Sequence, residues 1–196
     1  MGHILLDAME EVMGRNALQD ILIRVGLEPL AGARASGNTD LQLSPESIRD
    51  LNHALAQTYG PRAGRGLAQR IGRACFKYGL RVYGETLGLT RTDFRTLPFR
   101  AKLRTAGQAL ASLLNEQASQ NVQIAEADGK LLWRVEQCPL CSGRRESEPI
   151  CNLTVGLLQE SLYWLSSGKI FRVEETQCIA RGDAACLIEI HTTPLD

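Results

Sequence analysis

Cys138, Cys141, Cys151, Cys178 and Cys186 account for five of the chain's six cysteines. They stand in the pattern C-x2-C-x9-C-x26-C-x7-C, with Glu175 three residues before Cys178. Thiolates grouped in this way, with a carboxylate among them, are the ligand types that hold a tetrahedral zinc ion. A disulfide framework would use the same residues, and suits small secreted domains short of core. Compartment separates the two readings. The N-terminus has no basic n-region, and its apolar run is broken by Asp7, Glu10 and Glu11, so it does not read as a secretory signal. No stretch approaches the roughly 18 uninterrupted apolar residues of a membrane span, and Leu6 breaks the myristoylation pattern that Gly2 would begin. These features predict a cytoplasmic protein whose clustered thiols are reduced, which favours metal over disulfides.

The elements that must position these residues read as helices first and a small sheet last. Ile4, Leu5, Ala8, Val12, Leu18, Leu22 and Val25 recur at helical intervals over 3–25, with Gly14 and Asn16 able to split the run. Residues 29–40 have loop composition and form the one plausible linker. Ser44-Pro45 is a helix start, with Ser as N-cap and Pro at the first position. That helix ends near Gly60, and Pro61 opens the next. A further helix is expected over about 99–119. The period then changes: Val122 and Ile124 alternate as in a strand, which Glu126 makes short or edge-like. Asp128-Gly129 is a hairpin signal and 131–135 its partner strand. Residues 150–166 return to helical spacing, with Gly168 placed as a C-terminal cap. Two strands, Lys169–Thr176 and Ala185–Thr192, follow. The predicted class is α+β, with N-terminal helices packed on a small antiparallel sheet of C-terminal order strand-strand-helix-strand-strand. The division expected is a helical part over 1–97, supplying dimerisation and pocket surfaces, and a zinc-containing part over 98–196, the two forming one compact unit.

That order makes the spacing chemically sensible. Cys151 opens a helix, where amides and the dipole should lower a thiol's pKa. Glu175 and Cys178 end one strand and Cys186 begins its partner, so a hairpin joins them and a helix crossing it can deliver Cys151. Three thiolates and one carboxylate leave no open position for water, as in a structural rather than a catalytic site. Cys138-Pro139-Leu140-Cys141 supplies a rival half-site, giving the alternative set Cys138, Cys141, Cys178 and Cys186. A redox role for this CxxC lacks the βαβ context such motifs need.

Cys151 opening a helix, Gly156 inside it, Val173-Glu174-Glu175-Thr176-Gln177-Cys178 and Gly182-Asp183-x-x-Cys186 together resemble the 4-vinyl reductase domain family. The resemblance covers about residues 98–194. The family includes a small protein linked to bacteriochlorophyll synthesis, stand-alone archaeal hydrocarbon-binding proteins and the sensor domains of phenol-responsive regulators. It shares a fold with haem-based nitric-oxide sensors and with subunits of Golgi transport complexes. The resemblance implies Cys151, Glu175, Cys178 and Cys186 as zinc ligands. Phenol sensors set a Trp and a His against their ligand; Trp133 lies on a suitable strand, and no nearby His matches. The CxxC resembles a feature of the stand-alone members.

The remaining residues bear on partners. The overall charge is zero with 44% hydrophobic residues, which gives no bulk electrostatic case for nucleic acid. Over 61–83, Arg62, Arg70, Arg73, Lys77 and Arg81 share one helical face, as a solvated stripe or an anion site. Gly72, Cys75 and Gly79 share another, a small face that implies a second helix packed closely there, across a dimer two-fold in one reading. Cys75 reads as core. Gly60–Gly66 lacks the Lys-Ser/Thr of a P-loop, and no place for a nicotinamide or flavin is evident, so an enzyme is the less favoured class. The expectation is a zinc-stabilised, homodimeric sensor or carrier for an apolar, aromatic or tetrapyrrole molecule, with Trp133, Phe99 and Tyr83 against the ligand. It would report to an unknown downstream protein, with neither nucleic acid nor membrane as partner. The alternative is an accessory subunit of a tetrapyrrole vinyl reductase.

Overall fold

A computed structural model describes residues 1–30 and 41–195 of the chain. The loop expected over 29–40 falls mostly on residues outside that range; Pro29 and Leu30 are themselves helical, proline being pre-set for a first helical turn.

The expected split at Gly14 occurs: α1 spans Gly2–Met13 and α2 Arg15–Arg24, with Gly14 at φ +83° between them. That angle lies where side chains other than glycine are disfavoured. Helix α3, Pro45–Tyr59, starts as the sequence indicates, Ser44 Oγ accepting the Ser47 N–H at 3.1 Å. Helix α4, Pro61–Tyr83, follows at once. A single turn, α5 (Thr92–Thr96), precedes α6, Phe99–Ala118. Strands β1 (Val122–Ala127) and β2 (Lys130–Val135) turn at Asp128-Gly129, whose φ values of +51° and +73° fit a type I′ turn. Helix α7, Asn152–Leu165, closes at Gly168, which donates its N–H to Tyr163 O at 2.8 Å. Strands β3 (Phe171–Gln177) and β4 (Cys186–Pro194) end the chain.

The four strands form one antiparallel sheet in the order β1-β2-β4-β3. The α+β expectation therefore holds, with β1 and its Glu126 at an edge, where a charge blunts unwanted pairing. One apolar cluster lies on the sheet, built on Trp133, Ile188, Ile190, Leu162 and Phe171. A second joins α1 to α4 through Leu6, Met9, Ile21, Leu51, Leu55 and Ile71. Leu153 and Leu157 of α7 pack against both.

The small face of α4 is used within the chain. A β-carbon on Gly72 would lie 1.9 Å from Leu153 O, and one on Gly156 would lie 2.0 Å from Gln69 O. Helices α4 and α7 thus cross backbone against backbone, so Gly72 needs no second copy of the chain to explain it. The basic face is partly spent on the same helix: Arg73 donates to Gln159 Oε1 at 2.9 Å and Lys77 stands 3.8 Å from Glu160.

Gly72→Ala should cost about 3 kcal/mol through forced separation of the helices, a fall of roughly 10 °C in Tm for a chain of this size. Gly66→Ala, where nothing lies within 4 Å of the new carbon, should stabilise by up to about 1 kcal/mol. Equal effects of the two substitutions in a thermal melt would rule out the close crossing.

Candidate functional site

Five sulfurs converge where α7 begins and β4 begins. Cys151 is the N-cap residue of α7, Cys186 is the first residue of β4, and Cys178 follows β3 before a short turn at Ile179–Arg181. Cys138 and Cys141 lie in the loop after β2, where Ser142 N–H donates to Cys138 O and Arg144 N–H to Cys141 O, both at 3.1 Å. All five are buried. Sγ–Sγ separations are 3.4 Å for Cys138–Cys151, 3.3 Å for Cys141–Cys186, 3.6 Å for Cys151–Cys186 and 3.9 Å for Cys151–Cys178.

The loop ends are tied down by neighbours. Asn52 on α3 donates from Nδ2 to Leu140 O at 3.3 Å and to Ile150 O at 3.4 Å. Asp183 Oδ2 accepts the Cys178 N–H at 2.8 Å, and Glu146 N–H donates to Ala180 O at 2.9 Å. Nothing in the sequence singled out Asn52, because its partners are main-chain carbonyls about ninety positions away.

Glu175 has two roles. Its Oε2 accepts the Cys151 N–H at 2.8 Å, which caps α7 with a carboxylate. Its Oε1 is buried without a hydrogen-bond partner, a costly state unless something else takes that lone pair. Two foursomes have ligand atoms all within 4.8 Å of one another: Cys151, Glu175, Cys178 and Cys186, and Cys138, Cys141, Cys151 and Cys186. The sequence pairing of Cys138 and Cys141 with Cys178 and Cys186 is replaced in the second foursome by one that takes Cys151 for Cys178. No histidine joins either among the described residues.

A tetrahedral ion with ligands at about 2.3 Å sets its sulfurs about 3.8 Å apart, so the observed separations and the orphaned carboxylate oxygen fit zinc. Cys151 also stands within 3.9 Å of three other sulfurs, an arrangement that pairwise disulfides do not use.

Without metal, so many groups cannot all be charged. The Cys151 thiol is held well above its usual range by hydrogen bonding to Cys138 and the other sulfurs, and by burial. This reverses the lowering expected from its place at a helix N-terminus; close sulfurs outweigh a half-charge dipole. Burial and the Cys178 charge push Glu175 up to about 8. Hydrogen bonds from Cys141 and Cys151 bring Cys178 down to about 6, and those from Cys138 and Cys151 bring Cys186 down to about 5. At neutral pH the metal-free site therefore holds protons on Cys151 and Glu175, and negative charge on Cys178 and Cys186. Cys75 lies elsewhere, in the helical core, where burial raises it to about 12.

Beside the sulfurs lies an apolar cavity of about 360 Å³ between α1, α4, α6, α7 and the sheet. Cys75, Gly79, Tyr83, Leu110 and Trp133 are among its walls, and so are Pro139 and Leu140 from inside the CxxC. The indole N–H of Trp133 is buried with no acceptor. Phe99 stacks on Phe171 at 5.1 Å, apart from the lining residues.

Comparison with known proteins agrees with these features. Residues 132–192 match the family model of the 4-vinyl reductase domain, a segment that contains Trp133, all five clustered cysteines and Glu175. No curated protein matches the chain in sequence. Among solved structures, the phenol-responsive sensory domain of the transcription activator PoxR, solved with phenol, aligns with TM-score 0.56 at 20% identity, covering 76% of this chain and 75% of that one. An H-NOX protein from S. oneidensis in its Fe(II)NO state aligns with TM-score 0.61 at 10% identity over 99% of both chains. Unliganded Fe(II) H-NOX from K. algicida gives 0.59 at 12% identity over 98% of this chain and 94% of that one. The family match and the shared fold bear out the resemblance read from the motifs. Among the described residues, no helix is long and apolar enough to cross a membrane.

Zinc binding near pH 7 should release the protons of Cys151 and Glu175, so apparent affinity falls as pH drops below about 8. The fall should steepen below about 6, where Cys178 and Cys186 also protonate. Calorimetry in buffers of different ionisation enthalpy reads the protons directly; heats independent of buffer would exclude this charge distribution. Cys178→Ser should lower both zinc content and Tm, and unchanged values would remove Cys178 from the ligand set.

Proposed function

We propose that this chain, alike in fold to a phenol-responsive sensory domain and matched to the 4-vinyl reductase domain in its C-terminal part, is a zinc-stabilised binding protein for an apolar or aromatic small molecule. It acts as a sensor or carrier without chemistry at the metal, and works as a homodimer in the cytoplasm. Zinc is held by Cys151, Glu175, Cys178 and Cys186, and its place is structural because the four ligands fill a tetrahedron.

The observation that carries the reading is the cavity itself, an apolar space with one unpaired buried donor. Its volume lies at the low end of small-molecule sites, which favours a molecule of a few rings over a tetrapyrrole macrocycle. The free N–H of Trp133 favours a molecule with one hydrogen-bond acceptor, since a bound oxygen would satisfy a donor that is otherwise buried and unpaired. Tyr83 adds a wall from the end of α4. Phe99 supports the site at one remove, through its stack on Phe171.

Metal and cavity are coupled through shared walls. Pro139 and Leu140 lie between two cysteines, and Leu153, Thr154 and Leu157 follow Cys151 along α7; all five line the cavity. Loss of zinc would release both walls together. Occupation of the cavity can pass to a downstream protein by the same route, as a shift of α7 or of the cysteine loop.

Binding of 2-naphthol and of naphthalene to the zinc-loaded protein, followed by quenching of Trp fluorescence, tests the reading. Gly79→Leu projects into open space at the cavity wall; it should abolish binding of both probes while leaving Tm unchanged or raised. Trp133→Phe should weaken 2-naphthol by about tenfold, the worth of one hydrogen bond, and leave naphthalene little changed when followed by thermal shift. Full binding of both probes to Gly79→Leu would overturn the cavity as the ligand site.

A further inference from the structure

A single zinc ion leaves part of this cluster unused, whichever foursome holds it. With Cys151, Glu175, Cys178 and Cys186 as ligands, Cys138 and Cys141 remain as two more buried sulfurs, 3% and 0% exposed, against the same centre. With Cys138, Cys141, Cys151 and Cys186 as ligands, the buried Oε1 of Glu175 stays without a partner. The two foursomes are not rivals for unrelated positions: they share Cys151 and Cys186, and those two sulfurs are 3.6 Å apart.

Two tetrahedra that share an edge need six ligands, two bridging and two terminal on each side. The cluster supplies this set. Cys151 and Cys186 occupy the common edge, and their separation is close to the roughly 3.8 Å edge of a zinc–thiolate tetrahedron. One terminal pair, Cys138 and Cys141, comes from a C-x2-C loop. The other, Glu175 and Cys178, comes from the E-x2-C at the end of β3. Each terminal pair is thus a local chelate on one backbone segment, while each bridging thiol opens a regular element, α7 or β4. Cys138 stands 3.4 Å from one bridging sulfur and Cys141 stands 3.3 Å from the other. The Ile179 N–H donates to Cys186 Sγ at 3.5 Å, the kind of bond that supports a sulfur carrying charge.

Charge favours the same count. Five thiolates and a carboxylate around one divalent ion would leave four uncompensated negative charges in a buried site, whereas two ions leave two. Buried charge persists only when it is paired or bound to metal.

Resting on the metal reading above, we propose that the cluster is a two-metal centre. It holds two zinc ions bridged by Cys151 and Cys186, with Cys138 and Cys141 completing one ion, and Glu175 and Cys178 the other. Thiolate ligands in tetrahedral array select zinc or a similarly soft metal ion. The second ion fixes the Pro139-Leu140 wall of the cavity, which the first alone does not reach.

The test is zinc titration of the reduced, metal-free full chain, followed by native mass spectrometry with elemental analysis. Two zinc ions per chain are expected, falling to one in the double variant C138S/C141S. Loading with a spin-active cadmium isotope gives a readout independent of any variant: two cadmium resonances, each split by the other through the shared sulfurs. Saturation of the unmodified chain at one zinc overturns the two-metal centre and leaves the single structural site standing. Failure to bind any zinc overturns both. Two cadmium resonances without mutual splitting overturn the bridging role of Cys151 and Cys186.

Discussion

The crossing of α4 over α7 is the constraint from which the rest of the molecule follows. Neither helix has room for a β-carbon at the contact, since a carbon on Gly72 or Gly156 would lie about one bond length and a half from a carbonyl oxygen of the other helix. Close approach of this kind fixes axial position as well as distance, because a shift by one residue would bring Arg73 or Leu157 into a space that admits only hydrogen. Helix α7 is thereby held along its length. Its first turn delivers Cys151 to the sulfurs, and its next residues face the cavity and touch both apolar clusters.

Metal ligation is the natural complement to that arrangement. The sulfurs come from a loop after β2, the start of α7, the end of β3 and the start of β4, four segments that hydrogen bonding alone joins weakly. Glu175 illustrates how the fold handles the cost. One oxygen is spent on the α7 N-terminus, where a carboxylate is favoured by the dipole, and the other is left for a cation. In the metal-free state this carboxyl is pushed up to about 8 by burial, so the site is poised between protons and metal. Ligand binding free energy at such a site is folding free energy, and here it would be spent on the walls of the cavity.

The sequence made the ligand types legible and left their number open. Local signals were direct: Ser44-Pro45, Asp128-Gly129 and Gly168 each specify a backbone conformation within a few residues, and each appears where expected. The period-2 pattern placed β2, β3 and β4, and Glu126 marked β1 as an edge. Long-range geometry was harder to read. The small face of α4 announced a close partner, but spacing could not say that the partner was Gly156, some eighty residues on in the same chain. The pairing of Cys138 and Cys141 with Cys151 depends on how the loop after β2 folds back, which Asn52 fixes through main-chain carbonyls. The pKa of Cys151 was misjudged for a related reason, because helix position is local and the sulfurs that dominate it are not.

Sheet register joins the metal to the cavity. In the antiparallel ladder Cys186 lies opposite Val135, and Ile188 lies opposite Trp133. Side chains two residues apart share a face, so Cys186 and Ile188 face the core together with Val135 and Trp133. A slip of one residue between β2 and β4 would turn the cysteine out of the cluster and the indole out of the cavity in a single step. The two functional features therefore cannot be lost separately by a register error, and whatever holds Cys186 in place also holds the Trp133 donor against the cavity. An unpaired indole N–H is unfavourable in the empty protein. It is tolerated because the ladder and the sulfur cluster leave it no other position, and that unfavourable state is what gives an acceptor-bearing guest its advantage over a plain hydrocarbon.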